Sequence, residues 1–210
     1  MVAASLLISI FRLTGNVVQA VTQVAKIKIK KAKVKMGSGY DISQYLLDRA
    51  NIFDTASKVP LFYDLRNLSG LLNEVFAPEI YIDYTSLLGG EPFTIASSEW
   101  IEKMAKILEN FSASQHVTCG IVTNLPQPGG TRPTTVTIRA QVSGSLVGHP
   151  SADGATGLSQ NGGLLEAQLQ HFPDLEAQSL NPWRITKYKV VKSWEKGDKA
   201  VIQQAEKDFK

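Results

Sequence analysis

Cysteine is almost absent from this chain of 210 residues, which contains only Cys119. One cysteine cannot form an internal disulfide framework or supply a cysteine-rich metal site. The sequence also has no glycine-rich phosphate loop, no His-x-x-x-His pair and no Gly-x-Ser-x-Gly motif. The usual signatures of nucleotide binding, zinc hydrolysis and serine hydrolysis are therefore missing, and we expect neither a metal nor another cofactor.

Long apolar runs and acidic residues near the start of the chain are also absent. The run from Val2 to Phe11 is too short for a bilayer, which takes about 20 apolar residues, so we expect no stable membrane insertion. Residues 1–36 carry seven Lys or Arg and no acid. Subtracting these seven from the net charge of +3 leaves −4 for the remainder. The remainder has no basic stripe, which argues against nucleic-acid binding.

The composition changes at Met36, and this change divides the chain into two parts. We interpret residues 1–36 as a basic leader that is disordered or dispensable, and residues 37–210 as one domain. The leader resembles a mitochondrial presequence in lacking acids, but Lys outnumbers Arg in it. We expect a cytoplasmic protein, or a mitochondrial one if the leader acts as a presequence.

Helical patterns dominate the first part of the domain. Asp41 or Ser43 is predicted to cap a helix with a buried apolar face. Pro60 is predicted either to kink this helix or to restart it, because proline suits a first helical turn. A second amphipathic helix is predicted over residues 68–76, ending before Pro78.

Strand patterns dominate the rest. Strands are predicted over residues 79–85, 114–122, 134–146, 164–172 and 183–194, with a helix starting at Ser97 or Ser98 between the first two. Residues 148–163 are polar and glycine-rich and predict a long loop. A short helix is predicted at the C-terminus. Helices followed by consecutive strands indicate an α+β fold with helices on one face of a curled antiparallel sheet.

Several phrases, in this order, resemble the SnoaL-like group of the nuclear-transport-factor-2-like superfamily. They are residues 47–54 (LDRANIFD), residues 72–84 (LNEVFAPEIYIDY), Gln115-His116, and residues 183–185 (WRI) with Trp194. The resemblance spans roughly residues 40–200. It implies a cone-shaped curved antiparallel sheet wrapped by about three N-terminal helices.

Within that superfamily the chain looks most like the scytalone dehydratases, whose pocket uses two tyrosines, an aspartate, two histidines, a serine and an asparagine. Tyr63 and Asp64 resemble the Tyr-Asp pair, Tyr84 the second tyrosine, and His116 the first histidine. The second histidine is missing, and its position is predicted to fall near Arg139 or Gln141. The serine and asparagine have no evident match.

Apart from the resemblance, the side chains of these residues are suited to proton transfer and hydrogen bonding. An imidazole can exchange a proton near neutral pH, and His116 needs a neighbour such as Asp64 or Asp83 to orient it. The alternative is a surface strand histidine. Tyr63 and Tyr84 could donate hydrogen bonds to a substrate carbonyl, or could be core tyrosines.

Asp83 is the alternative base, because a carboxylate in an apolar cone has a raised pKa. Strand alternation, however, points Asp83 away from Tyr84 unless a bulge intervenes, and a solvated strand residue is the alternative. Phe62, Arg139 and Trp100 are predicted to contact substrate. Trp100 also lies on the apolar face of its helix, a spacing that indicates packing.

Two functions follow as hypotheses. The first is a cofactor-free lyase or isomerase, dehydratase- or cyclase-like, that acts by acid/base proton transfer on a small carbonyl-bearing or polyketide-like molecule. The second is a non-catalytic module of the same fold that binds a small ligand or dimerises. The resemblance also implies a homodimer or homotrimer.

Overall fold

The computed structural model describes residues 39–209. The predicted basic leader, residues 1–36, lies outside the described residues. The helices are α1 (Ile42–Asp64), α2 (Leu68–Gly70), α3 (Thr85–Leu88), α4 (Ser97–Glu109), α5 (Pro173–Ala177) and α6 (Ala200–Phe209), with a π-helical turn at Leu71–Val75. The strands are β1 (Phe76–Asp83), β2 (Phe93–Ala96), β3 (Phe111–Thr123), β4 (Thr135–Gly148), β5 (Leu158–His171) and β6 (Trp183–Gly197). No helix in this range is long and apolar enough to cross a membrane.

Helix α1 runs without interruption for 23 residues. Asp41 is its N-cap: its carboxylate accepts a hydrogen bond from the Gln44 amide at 2.8 Å, which satisfies one of the free N–H groups of the first turn. Pro60 lies inside the helix and does not restart it. One face of α1, including Ile52, is buried against the sheet.

The six strands form one sheet in the order β2-β1-β6-β5-β4-β3. This confirms the predicted α+β class. All neighbouring strands are antiparallel except β1 and β6, which are parallel, so the sheet is mixed. Register shifts leave an extra residue on β3 after Cys119 and on β6 at Ser193. Such bulges bend and twist a strand, which helps the sheet to curl around its core.

The sheet's inner face and the helices share one apolar core. On β4 the predicted alternation is observed, because Val136, Ile138 and Ala140 are all buried. Trp100 from α4 and Trp183 from β6 are fully buried in the same core. Large side chains from helix and sheet therefore fill the space between the two layers.

Some predicted boundaries are wrong. The helix predicted over residues 68–76 is a short α-helix followed by the π-helical turn, and β1 begins at Phe76. Pro78 lies within β1 and does not mark the end of a helix. The predicted loop over residues 148–163 is shorter, because β5 already begins at Leu158 and pairs with β4.

An ion-pair network joins α1 to the loop between β3 and β4 and to α5. Asp48 is fully buried and accepts hydrogen bonds from Arg132 Nε at 2.9 Å and Nη2 at 2.6 Å. Trp183 Nε1 donates to the same carboxylate at 3.1 Å, and Arg132 also binds Glu176. Burial alone would raise the pKa of Asp48, but these donors outweigh it and lower the pKa. Arg132 thus keeps a buried carboxylate charged.

We expect Arg132→Met to lower the free energy of unfolding by about 3–5 kcal/mol, because it leaves Asp48 buried without its cation. Urea unfolding at neutral pH measures the loss. The matched control is Arg139→Met, which breaks an ion pair with Glu166 whose side chains are 72% and 48% exposed. That loss should stay below about 1 kcal/mol. Equal losses of unfolding free energy in the two variants would contradict the conclusion that Arg132 compensates the buried charge of Asp48.

Candidate active site

A cavity of about 110 Å³ lies between the helices and the inner face of the sheet. Its wall is mostly apolar, with side chains from α1, α3, α4 and α6 on one side and from β3–β6 on the other. A few polar groups interrupt this wall, and they are Tyr63, Tyr84, His116, Thr118, Ser143, Asn161 and Tyr188. An apolar cavity with a few convergent polar groups is the usual form of a small-molecule site.

Asp64 and His116 form a close pair at the edge of this cavity. Asp64 Oδ1 lies 2.7 Å from His116 Nδ1, and its Oδ2 accepts the His116 backbone N–H at 2.6 Å. Asp64 is the last residue of α1, and His116 lies in the middle of β3. The two hydrogen bonds therefore join the end of a helix to a strand and fix the orientation of the imidazole.

Two further residues support this pair, and neither was predicted from the sequence. Ser114 Oγ donates to Asp64 Oδ1 at 2.9 Å. Arg66 Nη1 in turn donates to Ser114 Oγ at 2.8 Å and to the carbonyl of Tyr63 at 2.7 Å. Ser114 lies two residues before His116, so strand alternation places both on the same face. That spacing was a usable signal for Ser114, whereas no local pattern identifies Arg66.

The protonation state of Asp64 follows from these donors. Burial alone would raise the pKa of the carboxyl, but hydrogen bonds from the His116 ring and backbone and from Ser114 lower it below its ordinary value. An ionised Asp64 accepts a proton-bearing Nδ1, so the neutral imidazole carries its lone pair on Nε2. Nε2 is then the ring nitrogen available to a molecule in the cavity.

His116, Gly144 and Asn161 lie side by side in a row across β3, β4 and β5. His116 pairs with Gly144, and Gly144 pairs with Asn161. A Cβ on Gly144 would lie 3.2 Å from His116 Cδ2 and 3.5 Å from Asn161 Oδ1. The glycine therefore leaves room for the histidine ring and the amide, which both line the cavity. Asn161 was not singled out by the sequence reasoning.

The second histidine of the scytalone dehydratases has no counterpart in the described cavity wall. The sequence placed its position near Arg139 or Gln141, and neither residue lines the cavity. Arg139 pairs with Val122 of β3, whereas the β4 residue that pairs with His116 is Gly144.

Three tyrosines line the cavity next to this row. The Tyr63 hydroxyl accepts a hydrogen bond from Trp100 Nε1 at 3.1 Å, and its ring centroid lies 6.5 Å from that of His116. The rings of Tyr84 and Tyr188 are 6.0 Å apart. Burial raises the pKa of all three phenols. They therefore stay protonated at neutral pH and can donate hydrogen bonds.

Asp83 is directed away from the cavity that Tyr84 lines. Its Oδ2 lies 2.8 Å from Lys189 Nζ, and its Oδ1 accepts the Thr85 backbone N–H at 3.3 Å. Burial alone would raise the pKa of Asp83, but the Lys189 and Thr85 bonds lower it. The alternation argument thus agrees with the observed direction, and the raised pKa expected of a base in an apolar cone is wrong for Asp83.

The three residues predicted to contact substrate do not line the cavity. Arg139 is 72% exposed on the opposite face of the sheet and binds Glu166 at 2.8 Å. Phe62 is buried in the core. Trp100 is also buried and acts on the site indirectly, because it holds the Tyr63 hydroxyl. Helical spacing had already indicated a packing role for Trp100.

Among residues 39–209 there is no group of three or more His, Cys, Asp or Glu side chains that could hold a metal ion. The polar groups of the cavity are instead an imidazole, an amide, hydroxyls and phenols. Such groups can donate and accept hydrogen bonds and can transfer a proton at His116.

Solved structures with the same fold include three bacterial proteins. The Kfla4162 protein from Kribbella flavida is 21% identical, with a TM-score of 0.60 over 71% of this chain and 93% of its own. A proposed scytalone dehydratase from Novosphingobium aromaticivorans is 10% identical, with a TM-score of 0.54 over 72% and 87%. The hexachlorocyclohexane dehydrochlorinase LinA-type3 from Novosphingobium barchaimii is 11% identical, with a TM-score of 0.55 over 73% and 92%. At these identities the likeness shows the fold alone.

No curated protein matches the sequence. The family model described as the SnoaL-like domain matches residues 44–189. This match covers more than half of the chain and confirms the resemblance seen in the sequence. The protein therefore belongs to the SnoaL-like domain family.

Proposed function

We propose that this protein is a cofactor-free lyase or isomerase that moves a proton on a small carbonyl-bearing molecule. The observation that carries this proposal is the Asp64–His116 pair, with 2.7 Å between Oδ1 and Nδ1, at the wall of a mostly apolar cavity. His116 is the acid/base in this proposal, and Asp64 orients it. Asp83 is left out, because Lys189 already engages its carboxylate.

The proposed step begins at Nε2 of His116. This nitrogen takes a proton from a carbon next to the carbonyl, and the C–H electron pair moves into an enolate. The negative charge that develops on the enolate oxygen accepts hydrogen bonds from phenols such as Tyr63 and Tyr84. Asp64 stabilises the imidazolium, which then returns its proton to another carbon or to a leaving group. The first outcome is an isomerisation and the second an elimination.

The second candidate is a module of the same fold that binds a small ligand without catalysis. It is favoured by the absence of a second histidine from the cavity wall, where His116 is the one imidazole among the described residues. With a single imidazole, the site has one group able to exchange protons near neutral pH. Binding without proton transfer is therefore the outcome that separates this candidate from the enzyme.

Hydrogen exchange in D₂O tests the proton transfer without knowledge of the natural substrate. Acetophenone and 1-indanone are small aromatic ketones, and NMR follows the exchange of the hydrogens next to their carbonyl. We expect the protein to accelerate this exchange. His116→Ala should reduce the acceleration by about 100-fold or more, because it removes the general base.

The control for this assay is His149→Ala. His149 is an exposed histidine whose Nε2 lies 2.9 Å from the carbonyl oxygen of Glu109, and it does not line the cavity. This variant should match the wild type. Exchange that survives in His116→Ala contradicts the proposed role of His116. Ketone binding without any exchange would favour the non-catalytic module.

The pH dependence of stability tests the Asp64 pairing. Because the pKa of Asp64 is lowered in the folded state, its contribution to stability is present above about pH 4 and is lost as the pH falls through the folded pKa. We expect Asp64→Asn to cost about 1–3 kcal/mol at pH 7. Urea unfolding at several pH values should show this difference shrinking below about pH 4.

The matched control is Asp54→Asn, an exposed aspartate on the same helix. It should change stability by less than about 0.5 kcal/mol. A difference between wild type and Asp64→Asn that stays constant down to pH 3 would show that the carboxylate is not stabilised by its donors.

We infer a homodimer or homotrimer through the outer face of the sheet. Support comes from apolar side chains exposed there on β5 and β6: Leu164 is 55% exposed, Trp194 51% and Val191 38%. Clustered exposed apolar residues are typical of interaction surfaces. Light scattering should report a mass of two or three chains that falls in Trp194→Lys. A monomer at all concentrations would contradict this inference.

A further inference from the structure

Arg66 has a backbone conformation that ordinarily favours glycine, with a φ of 55°. It follows the end of helix α1, where its N–H donates to the Tyr63 carbonyl at 3.2 Å and the Asn67 N–H donates to the Phe62 carbonyl at 2.9 Å. These two bonds form a Schellman motif, in which glycine is the usual residue at the left-handed position. An arginine at this position therefore points to a role for its side chain.

The guanidinium of Arg66 joins the ends of two helices to the strand that carries the site. Nη1 donates to the Tyr63 carbonyl at 2.7 Å and to Ser114 Oγ at 2.8 Å, and Nη2 donates to the Leu108 carbonyl at 3.3 Å. A guanidinium can only donate, so Ser114 Oγ is the acceptor. The hydroxyl hydrogen of Ser114 is then left for Asp64 Oδ1 at 2.9 Å. Arg66 thus sets the direction of the Ser114 hydroxyl.

Asp64 Oδ1 is shared between two side-chain donors. Ser114 Oγ lies 2.9 Å from it and His116 Nδ1 lies 2.7 Å from it. Each donor stabilises part of the negative charge on this oxygen, so less of that charge is available to the other donor. The Ser114 hydroxyl therefore limits how strongly Asp64 stabilises the protonated imidazole of His116.

We propose that Ser114 and Arg66 are positioning residues that set the proton affinity of His116 through Asp64. Their part in catalysis rests on the proposed function, in which Nε2 of His116 takes a proton from the bound molecule. Because the Ser114 hydroxyl draws charge from Asp64, His116 releases its proton at a lower pH and is available as a base there. Neither Ser114 nor Arg66 lines the cavity, so both act without touching the bound molecule.

NMR titration of the His116 ring in the ligand-free protein measures the pH at which half of the imidazole is protonated. Ser114→Ala should raise this midpoint by about 0.5–1 pH unit, the shift expected when one hydrogen bond to a carboxylate is lost. Ser114→Thr keeps a hydroxyl and should retain the wild-type midpoint. Ser112→Ala is the matched control on β3, because Ser112 Oγ donates to the Gly148 carbonyl at 2.8 Å and not to Asp64.

Arg66→Gly separates the positioning role from stability. Glycine suits the left-handed backbone, so the urea midpoint of this variant should stay close to that of the wild type. The His116 midpoint should nevertheless rise, by less than in Ser114→Ala, because the Ser114 hydroxyl is free to turn away from Asp64. The titration is run in 1 M NaCl, where a Debye length of about 3 Å screens the direct effect of the guanidinium charge.

The double variant Arg66→Gly/Ser114→Ala tests whether Arg66 acts through Ser114. Its His116 midpoint should equal that of Ser114→Ala alone, because Arg66 has no hydroxyl left to orient. Additive shifts from the two substitutions would contradict this role of Arg66. A wild-type midpoint in Ser114→Ala would contradict the whole inference, and acetophenone exchange in D₂O would then still support the proposed function.

The same exchange assay connects the titration to the chemistry. The acid limb of the acetophenone exchange profile should move with the His116 midpoint in every variant. If the midpoint moves as expected but the wild type exchanges no ketone, the proposed function is contradicted, and with it the catalytic part of this inference, whereas the coupling of Ser114 to His116 stands. The two failures are therefore distinguishable.

Discussion

The site depends on one carboxylate placed at the junction between a helix and a strand. Asp64 ends helix α1, where the negative end of the helix dipole disfavours another negative charge. Hydrogen bonds from the His116 ring, the His116 backbone and Ser114 compensate for this position. The same bonds attach the helix to β3 and set the tautomer of the imidazole. Structure and chemistry are thus coupled through a single side chain.

The remaining polar groups are arranged around that pair by the curvature of the sheet. Gly144 leaves space on β4 so that His116 and Asn161, two strands apart, reach the same cavity. The phenols of Tyr84 and Tyr188 come from a connecting turn and from β6. The apolar wall separates these donors from bulk water, which strengthens each hydrogen bond they make.

A second carboxylate on the same helix also has a pKa lowered by hydrogen-bond donors, but it contributes to stability and not to the candidate site. Asp48 also lies on α1 and also has a lowered pKa, but its donors include Arg132 and Trp183, and all of its bonds are internal. Asp64 differs because its partner is an imidazole with one nitrogen left for a ligand. The identity of the partner, and not the burial of the acid, separates the structural carboxylate from the candidate catalytic one.

Local patterns in the sequence predicted the α+β class, a helix cap at Asp41 or Ser43 and the inward face of β4, because periods of two and 3.6 residues are properties of neighbouring positions. The resemblance to the SnoaL-like group, carried by short phrases, singled out Tyr63, Asp64, Tyr84 and His116, which line or border the cavity. Only the tertiary structure decided the parallel β1–β6 pairing, the placement of Gly144 beside His116, and the support from Arg66. Those features depend on bulges and on contacts between residues far apart in the chain, and no local period records them.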